Sequence, residues 1–489
     1  MDFLKKSLNA IVHILSKNMT TFLLILIAIF LRFYKLSEFT TFLGDQGRDA
    51  IIIKRIVTFQ HFPAIGAPTS IGQIFLGPFY YYFIAPFLLL FNFNPVGLTY
   101  GVAFLSIVGL IFGYFIISKY LSKPTALVFL SLAVFSHTLI EYSRFSWNPN
   151  LLPIFSFLAL YFMYLILKRD KLTDFVILGA LISFSVQLHY LGIFLFFPLL
   201  FTLVYKVILK KNSFNIKNIC AGLISCLLCS SPLIIFDLKH QFLNSKNFLN
   251  LIFKKEVVVS QGSILIRILN TNKEFYNHVF KLEFSNLIAI IITLLLSFLI
   301  FRSKKNSFVV INTVNFLSFI VLFSFLNSSR FPHYYGQVYF SFFLILAVIL
   351  SSIRIKIKYV MITILIIFYA FFNMKNYGYF IEEGSRQIER AKRIAMTFKG
   401  KIDSRSFLVV PEPFTESADP VKYFLEVDGH TALPDDFAGQ PDELFLMCHL
   451  KDCVISGNPQ WQLSAFNNPK IDKIWNIEGI KIYKIVHGK

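Results

Sequence analysis

The sequence predicts an all-α polytopic membrane protein of about 11 transmembrane helices, with an outer juxtamembrane helix region and a small C-terminal α/β soluble domain. Three observations predict it. Apolar runs near the roughly 20 residues that a bilayer core requires recur along residues 1–374. Every second connection between them is rich in Lys and Arg and nearly free of acids. After residue 374 the pattern turns mixed, with 15 basic and 16 acidic residues. Of 489 residues, 56% are apolar and 15% charged, with a mean hydropathy of +0.64, which excludes a soluble enzyme of ordinary composition. Disorder is excluded by the same apolar content, and no repeat of solenoid or blade length is visible.

The spans fall at about 20–36, 96–118, 124–141, 149–167, 174–191, 193–209, 216–236, 285–301, 307–327, 334–353 and 358–374. The N-terminus carries Lys5, Lys6 and Lys17 and is oriented towards the cytoplasm. Residues 3–18 read as a short amphipathic helix on the inner surface, and the first span as a retained anchor because it continues into Arg32 and Lys35 without a small-residue cleavage site. A twelfth run, 76–91, is interrupted by Pro78 and Pro86. If it crossed, the basic loops after it would fall outside, so it reads as an interfacial or re-entrant helix within the outer loop 37–95. Tyr80, Tyr81 and Tyr82 suit a headgroup-level belt there. With that topology the inner segments hold 18 basic residues against two acids, Asp2 and Asp170. Most of the net charge of +20 is therefore an orientation signal, and no nucleic-acid partner is implied. The protein is placed in the cell inner (plasma) membrane.

The stretch 375–489 reads as a separate extracytoplasmic α/β domain, with a helix at 382–399 and strands at 406–410, 443–447, 453–456 and 480–485. Cys220, Cys226 and Cys229 fall inside one span and read as packing residues. Cys448 and Cys453 leave two alternatives, a disulfide or two free thiols; zinc lacks an evident fourth ligand.

The chemistry sits on the outer side. The first outer loop places Asp45, Gln46, Arg48 and Asp49 within five residues, and a carboxylate near the bilayer is costly unless paired or working. Taken alone, the loop also reads as a salt bridge that anchors it. The second outer connection carries Glu141, Arg144, Asn148 and Asn150, and the third Gln187 and His189, the latter also readable as a satisfied helix-end histidine. The fourth, 237–284, opens with Asp237, Lys239 and His240. The fifth carries Arg330, His333, Tyr334 and Tyr335, a donor-rich cluster that suits a phosphate at the end of a lipid, or ordinary interfacial anchoring. Such one-sidedness fits an outward-facing active site better than a transport pathway, which leaves charges at mid-span in both halves.

A Lys/Arg-flanked first span, Asp45-Gln46-x-Arg48-x-Ala50, an aromatic juxtamembrane helix, Arg144 followed by Asn148 to Asn150, and Arg330-x-x-His333-Tyr334 before a late span resemble the C-type membrane glycosyltransferases (GT-C). Within them the chain is most similar to the polyprenyl-phosphate-dependent group that includes aminoarabinose transferases and protein O-mannosyltransferases. The resemblance covers residues 1–374; the outer domain matches in placement only.

The resemblance implies a glycosyltransferase moving a hexosyl or pentosyl group, with inversion, from a polyprenyl-phosphate-linked sugar donor to an extracytoplasmic glycan, lipid or protein acceptor. It implies Asp45 as the catalytic carboxylate. Sugar and acceptor contacts would come from Gln46, Arg48, Asp49, Glu141, Arg144, Asn148, Asn150, Gln187, His189 and Asp237. The lipid phosphate would meet Arg330, His333, Tyr334, Tyr335, Lys239, His240 and Tyr81. No metal ligands are named and no cofactor is required, with a divalent cation left open. The chain departs from the family at Gln46, where a second acid is common, and at Asn148 and Asn150, where mannosyltransferases carry Asp; a glycan or lipid-linked acceptor is thereby favoured over a peptide. A flippase for polyprenyl-linked sugars and a receptor with a ligand-binding outer domain are the rival readings.

Overall fold

The computed structural model describes residues 18–69, 74–209, 213–253, 262–302, 306–326, 328–375 and 377–488. The amphipathic N-terminal helix expected at 3–18 lies outside them except for its last residue. Among the described residues five helical stretches are long and apolar enough to cross a membrane: Val96–Tyr120, Asn148–Arg169, Tyr190–Ile208, Ile216–Lys239 and Ser307–Phe325. Seven shorter apolar helices accompany them, among them Met19–Phe33, Lys123–Phe135, Leu172–Leu188, Tyr339–Ser351 and Lys358–Met374. The protein is a multi-pass membrane protein, and many helices turn large apolar side chains outward, as Leu223, Leu228, Leu287, Leu294 and Phe371 do.

Several expected spans are shorter or broken. The run at 124–141 divides at Ser136, whose hydroxyl accepts from Leu139 N and starts a new short helix, His137–Glu141. Asn373 Oδ1 accepts from His137 N at 3.0 Å and holds the break against the last span. The fourth outer connection, expected as a long loop, contains the helices Leu243–Phe253 and Ile264–Phe280. The second of these is capped by Ser263 and buries Thr271, Asn272, Phe275, Tyr276 and Val279, a 3.6-residue stripe that the sequence carries in plain form.

Two further helices, Gly44–Val57 and Phe79–Leu90, fall in the segment expected as the outer loop. The second begins after Pro78 and tolerates Pro86 in its interior. Tyr80 and Tyr81 are each 2% exposed, which corrects the headgroup-belt reading for both; Tyr82 is more open and donates to Pro63 O.

Beyond them is a four-stranded sheet of β1 (Phe407–Glu412), β2 (Glu443–Cys448), β3 (Pro469–Ile477) and β4 (Ile480–His487), in the order β1-β2-β4-β3. β1 and β2 are parallel, Phe407 opposite Glu443, and the crossover between them contains the helix Asp419–Val427. Alternation sorts the strands: Phe407, Val409, Phe445 and Met447 meet the helix Gln387–Met396 on one face, and Leu408, Val410, Leu444 and Leu446 meet Leu463 and Phe466 on the other. The strand expected at 453–456 is irregular, and β3 and the Asp419–Val427 helix were not read from the sequence. Cys448 and Cys453 form a disulfide.

The sheet does not hang free. Its inner face shares one hydrophobic cluster with Phe42, Ala50, Ile53 and Ile56 and with Tyr80, Tyr81 and Ile84. Glu426, 5% exposed at its side chain, accepts from Arg55 at 2.7 and 3.0 Å and from Lys54 at 3.3 Å. A Cβ at Gly47 would stand 2.5 Å from Pro420 N, and one at Gly44 2.8 Å from Ser417 Cβ, so both glycines are required by the close approach of the two backbones.

Candidate active site: an acidic loop and two arginines beside an apolar groove

Asp45 lies in the first turn of the Gly44–Val57 helix, where a carboxylate favours the helix dipole. Arg48 is one turn on, and its guanidinium is shared: Nη1 donates to Asp45 Oδ1 at 2.9 Å, and Nη2 and Nε donate to Asp49 Oδ1 at 2.8 and 3.1 Å. The two acids differ sharply in exposure, 52% for the Asp45 side chain and 1% for Asp49. Asp49 also accepts from Tyr81 Oη at 2.9 Å, while its Oδ2 is buried without a partner. Burial pushes the Asp49 carboxyl above the usual carboxylate range, against the opposing pull of Arg48. Gln46 is used locally: its Oε1 accepts from Leu43 N and closes the helix start. From the outer domain, Asp419 stands within electrostatic reach of Arg48, and burial raises its carboxyl too.

The Phe79–Leu90 helix joins this loop to a second cluster. While Tyr81 holds Asp49, Tyr80 Oη meets Ser146 Oγ at 2.7 Å. The neighbouring Trp147 ring lies 4.7 Å from the His333 ring, which packs at 4.3 Å on Tyr334; Tyr334 in turn stands 5.3 Å from His189. His333 Nδ1 is buried without a partner.

Arg330 is half-buried. Its Nε donates to Thr271 Oγ1 at 2.9 Å, Nη1 to Ser328 O at 2.6 Å and Nη2 to Leu326 O at 3.0 Å, and its plane lies 4.3 Å from the Phe323 ring. Thr271 belongs to the helix Ile264–Phe280, and one turn earlier on that helix is Arg267, close enough for the two guanidiniums to repel. Arg267 Nε is buried without a partner. Among the described residues no carboxylate lies within 4 Å of either arginine. Beside Arg330 runs an apolar groove of about 370 Å³, lined by Tyr190, Phe194, Phe197, Phe248, Leu322 and Leu326. Leu326 connects the two features, since its carbonyl receives Arg330.

Other expected site residues are engaged elsewhere. Arg144 is 2% exposed and donates to Leu31 O, Arg32 O and Tyr34 O at 2.8–3.0 Å, with its plane 3.9 Å from the Tyr379 ring; it caps the end of the Met19–Phe33 helix. Asn148 Nδ2 holds Leu188 O, and Asn150 Nδ2 holds Phe145 O. Gln187 ties Phe79 N to Ser183 and Cys229. His189 Nδ1 accepts from Leu191 N and starts the next helical turn. Asp237 accepts from Asn244 N and from Ser245, capping the Leu243–Phe253 helix. Tyr335 Oη donates to Thr271 O. Glu141 pairs with His137 at 3.5 Å. Lys239 and His240 are exposed, and His240 stacks on Phe236 at 4.1 Å. Among the described residues no three His, Cys, Asp or Glu side chains come together to hold a metal ion. The residues that sequence reading missed are Arg267, Thr271, Tyr190 and Asp419. The capped, amphipathic pattern of 263–280 was the available signal for the first two.

Residues 76–236 match the family described as dolichyl-phosphate-mannose-protein mannosyltransferase. No curated protein sequence matches the chain significantly. Among solved structures, ArnT from Cupriavidus metallidurans bound to undecaprenyl phosphate is similar with a TM-score of 0.61 at 13% identity, over 96% of this chain and 98% of that one. Its apo form gives 0.59 at 12% identity, with the same coverage. The apo oligosaccharyltransferase of Archaeoglobus fulgidus gives 0.55 at 12% identity, over 85% of this chain and 64% of that one. The resemblance to the C-type membrane glycosyltransferases, aminoarabinose transferases included, is thus shown at the level of fold.

Proposed function

We propose that this chain is an inverting membrane glycosyltransferase that takes a sugar from a polyprenyl-phosphate donor and delivers it to a hydroxyl outside the cytoplasm. One observation carries the reading: Arg330, which donates to the carbonyl of the groove residue Leu326, lies within electrostatic reach of Arg267, and among the described residues no carboxylate is within 4 Å of either. Uncompensated cations beside an apolar channel suit a ligand that is anionic at one end and hydrocarbon at the other. Undecaprenyl phosphate, the ligand of the similar ArnT, has that character.

In this reading the polyprenyl chain lies along Phe194, Phe197 and Leu322, with its phosphate at Arg330 and Arg267. Asp45, the exposed member of the acid pair, accepts the proton of the acceptor hydroxyl as that oxygen attacks the anomeric carbon. The bond from the anomeric carbon to the phosphate oxygen breaks, and the charge that gathers on the lipid phosphate is met by the two arginines. Attack opposite the leaving group inverts the centre. Asp49 and Arg48 orient Asp45 rather than react. No cofactor is required, because a phosphodiester already provides a competent leaving group. A glycan or lipid-linked acceptor is favoured, and in this reading the active side faces away from the cytoplasm, an orientation that the basic connections support.

The test is transfer from a radiolabelled polyprenyl-phosphate sugar by purified protein in nanodiscs. Asp45→Asn is expected to lose transfer while still binding the donor. Transfer by that variant at the wild-type rate would overturn the mechanism.

A further inference from the structure

Arg32 is unlike the other buried cations of this protein. It lies in the last turn of the Met19–Phe33 helix and is 1% exposed. Among the described residues no carboxylate lies within 4 Å of it. Among the described residues its hydrogen bonds are long, Nη1 to Ala28 O at 3.4 Å and Nη2 to Ala133 O at 3.3 Å, and its Nε is buried without a partner. The nearby Arg144 is equally buried and its Nε also lacks a partner, but its two Nη atoms hold three carbonyls at ordinary lengths, so the shortfall is greatest at Arg32. An uncompensated buried charge costs several kcal/mol, and two adjacent guanidiniums raise that cost.

Arg32 borders a cavity of about 30 Å³ between the helices Val96–Tyr120, His137–Glu141 and Leu152–Arg169. Asn150 and His333 also line it, and each contributes a buried polar atom without a partner, Oδ1 and Nδ1. A water-sized guest needs about 10–15 Å³ by this measure, so the cavity has room for about two. It is too small for a sugar phosphate.

We propose that this cavity binds one small monovalent inorganic anion of the chloride class together with one water. The anion neutralises Arg32 and receives its Nε–H. The water donates one hydrogen to the anion and the other to Asn150 Oδ1, and a proton on His333 Nδ1 gives the anion a second donor. Asn150 Oδ1, an acceptor, would repel an anion set directly against it, which is why the second guest is a water. The site is separate from the Arg330 and Arg267 pair and does not depend on the glycosyl-transfer reading.

Thermal unfolding of the full chain in nanodiscs is compared in sodium chloride, sodium bromide and sodium gluconate at equal ionic strength. Both halides are expected to raise the midpoint saturably, by about 2–4 °C, and gluconate is not. Arg32→Met is expected to erase the halide difference, and bromide-soaked wild-type crystals to give an anomalous peak within hydrogen-bond reach of Arg32 Nε. If the variant does not fold, the wild-type salt series and the bromide peak decide alone. Equal midpoints in chloride and gluconate, a halide effect that survives Arg32→Met, or stabilisation by phosphate alone would each overturn the proposal.

Discussion

Buried positive charge is handled in two ways in this molecule. At the junction of the outer domain and the juxtamembrane helices, and within the outer domain, it is paired with carboxylates: Lys54 and Arg55 with Glu426, Lys484 with Glu443 and Asp403, Lys422 with Asp435. Elsewhere the buried Arg32 and Arg144 and the half-buried Arg267 and Arg330 have backbone carbonyls, hydroxyls and ring faces near them, but no carboxylate within 4 Å among the described residues. The first arrangement is complete in itself and reads as structure. The second leaves net positive charge inside, and that surplus is the physical reason to look for anions there.

Asp45 and Asp49 repeat the contrast on a smaller scale. Both use Arg48, yet only Asp45 is open enough to meet a substrate. The largest expected effect is therefore at Asp45: Asp45→Asn lowers the transfer rate by about 10²–10⁴-fold, read as turnover at saturating donor. Next comes the paired region. Glu426→Ala leaves Lys54 and Arg55 facing a buried gap and costs about 3 kcal/mol, measured as earlier unfolding and as faster proteolysis at the outer domain. Gly47→Ala, which drives a methyl into Pro420, loosens the same junction by about 1–3 kcal/mol in the same assay. Arg267→Ala weakens donor binding about tenfold with little change in stability, because the structure gives its Nε no protein partner.

The smallest effect concerns Asp49. Its carboxyl is raised in the fold, so its contribution is full below the unfolded value near pH 4 and is lost as pH rises through the raised value. Asp49→Asn keeps an acceptor for Tyr81 and is expected to flatten the midpoint-against-pH curve in the range above about pH 4 where the raised carboxyl titrates. An unchanged slope would show that the Arg48 pair, not burial, governs this group.

Much of the fold was legible because its determinants are local. Apolar run length and Ser and Pro at helix starts locate the five long apolar helices and most of the shorter ones among the described residues, and the composition shift after 374 precedes the sheet. The site was legible only as a neighbourhood. Asp45, Arg48 and Asp49 are adjacent in sequence, and their network forms as read. Arg144, Asp237 and Gln187 have the chemistry of ligand-binding residues but spend it on helix ends and backbone groups tens to hundreds of residues away, which no local pattern encodes. Arg267 was hidden for the opposite reason: the connection holding it was read as a loop, so its helical spacing from Thr271, and hence its approach to Arg330, was not visible.

Arg330 and Arg267, with no carboxylate within 4 Å of either among the described residues, are the central feature of the proposed donor site. Native mass spectrometry of the protein released from nanodiscs containing polyprenyl phosphate and the matching polyprenol tests it directly. Wild type is expected to retain the phosphate lipid in preference to the alcohol, and Arg267→Ala/Arg330→Ala to lose that preference while remaining folded. Equal retention of the phosphate lipid by wild type and the folded double variant would contradict the account.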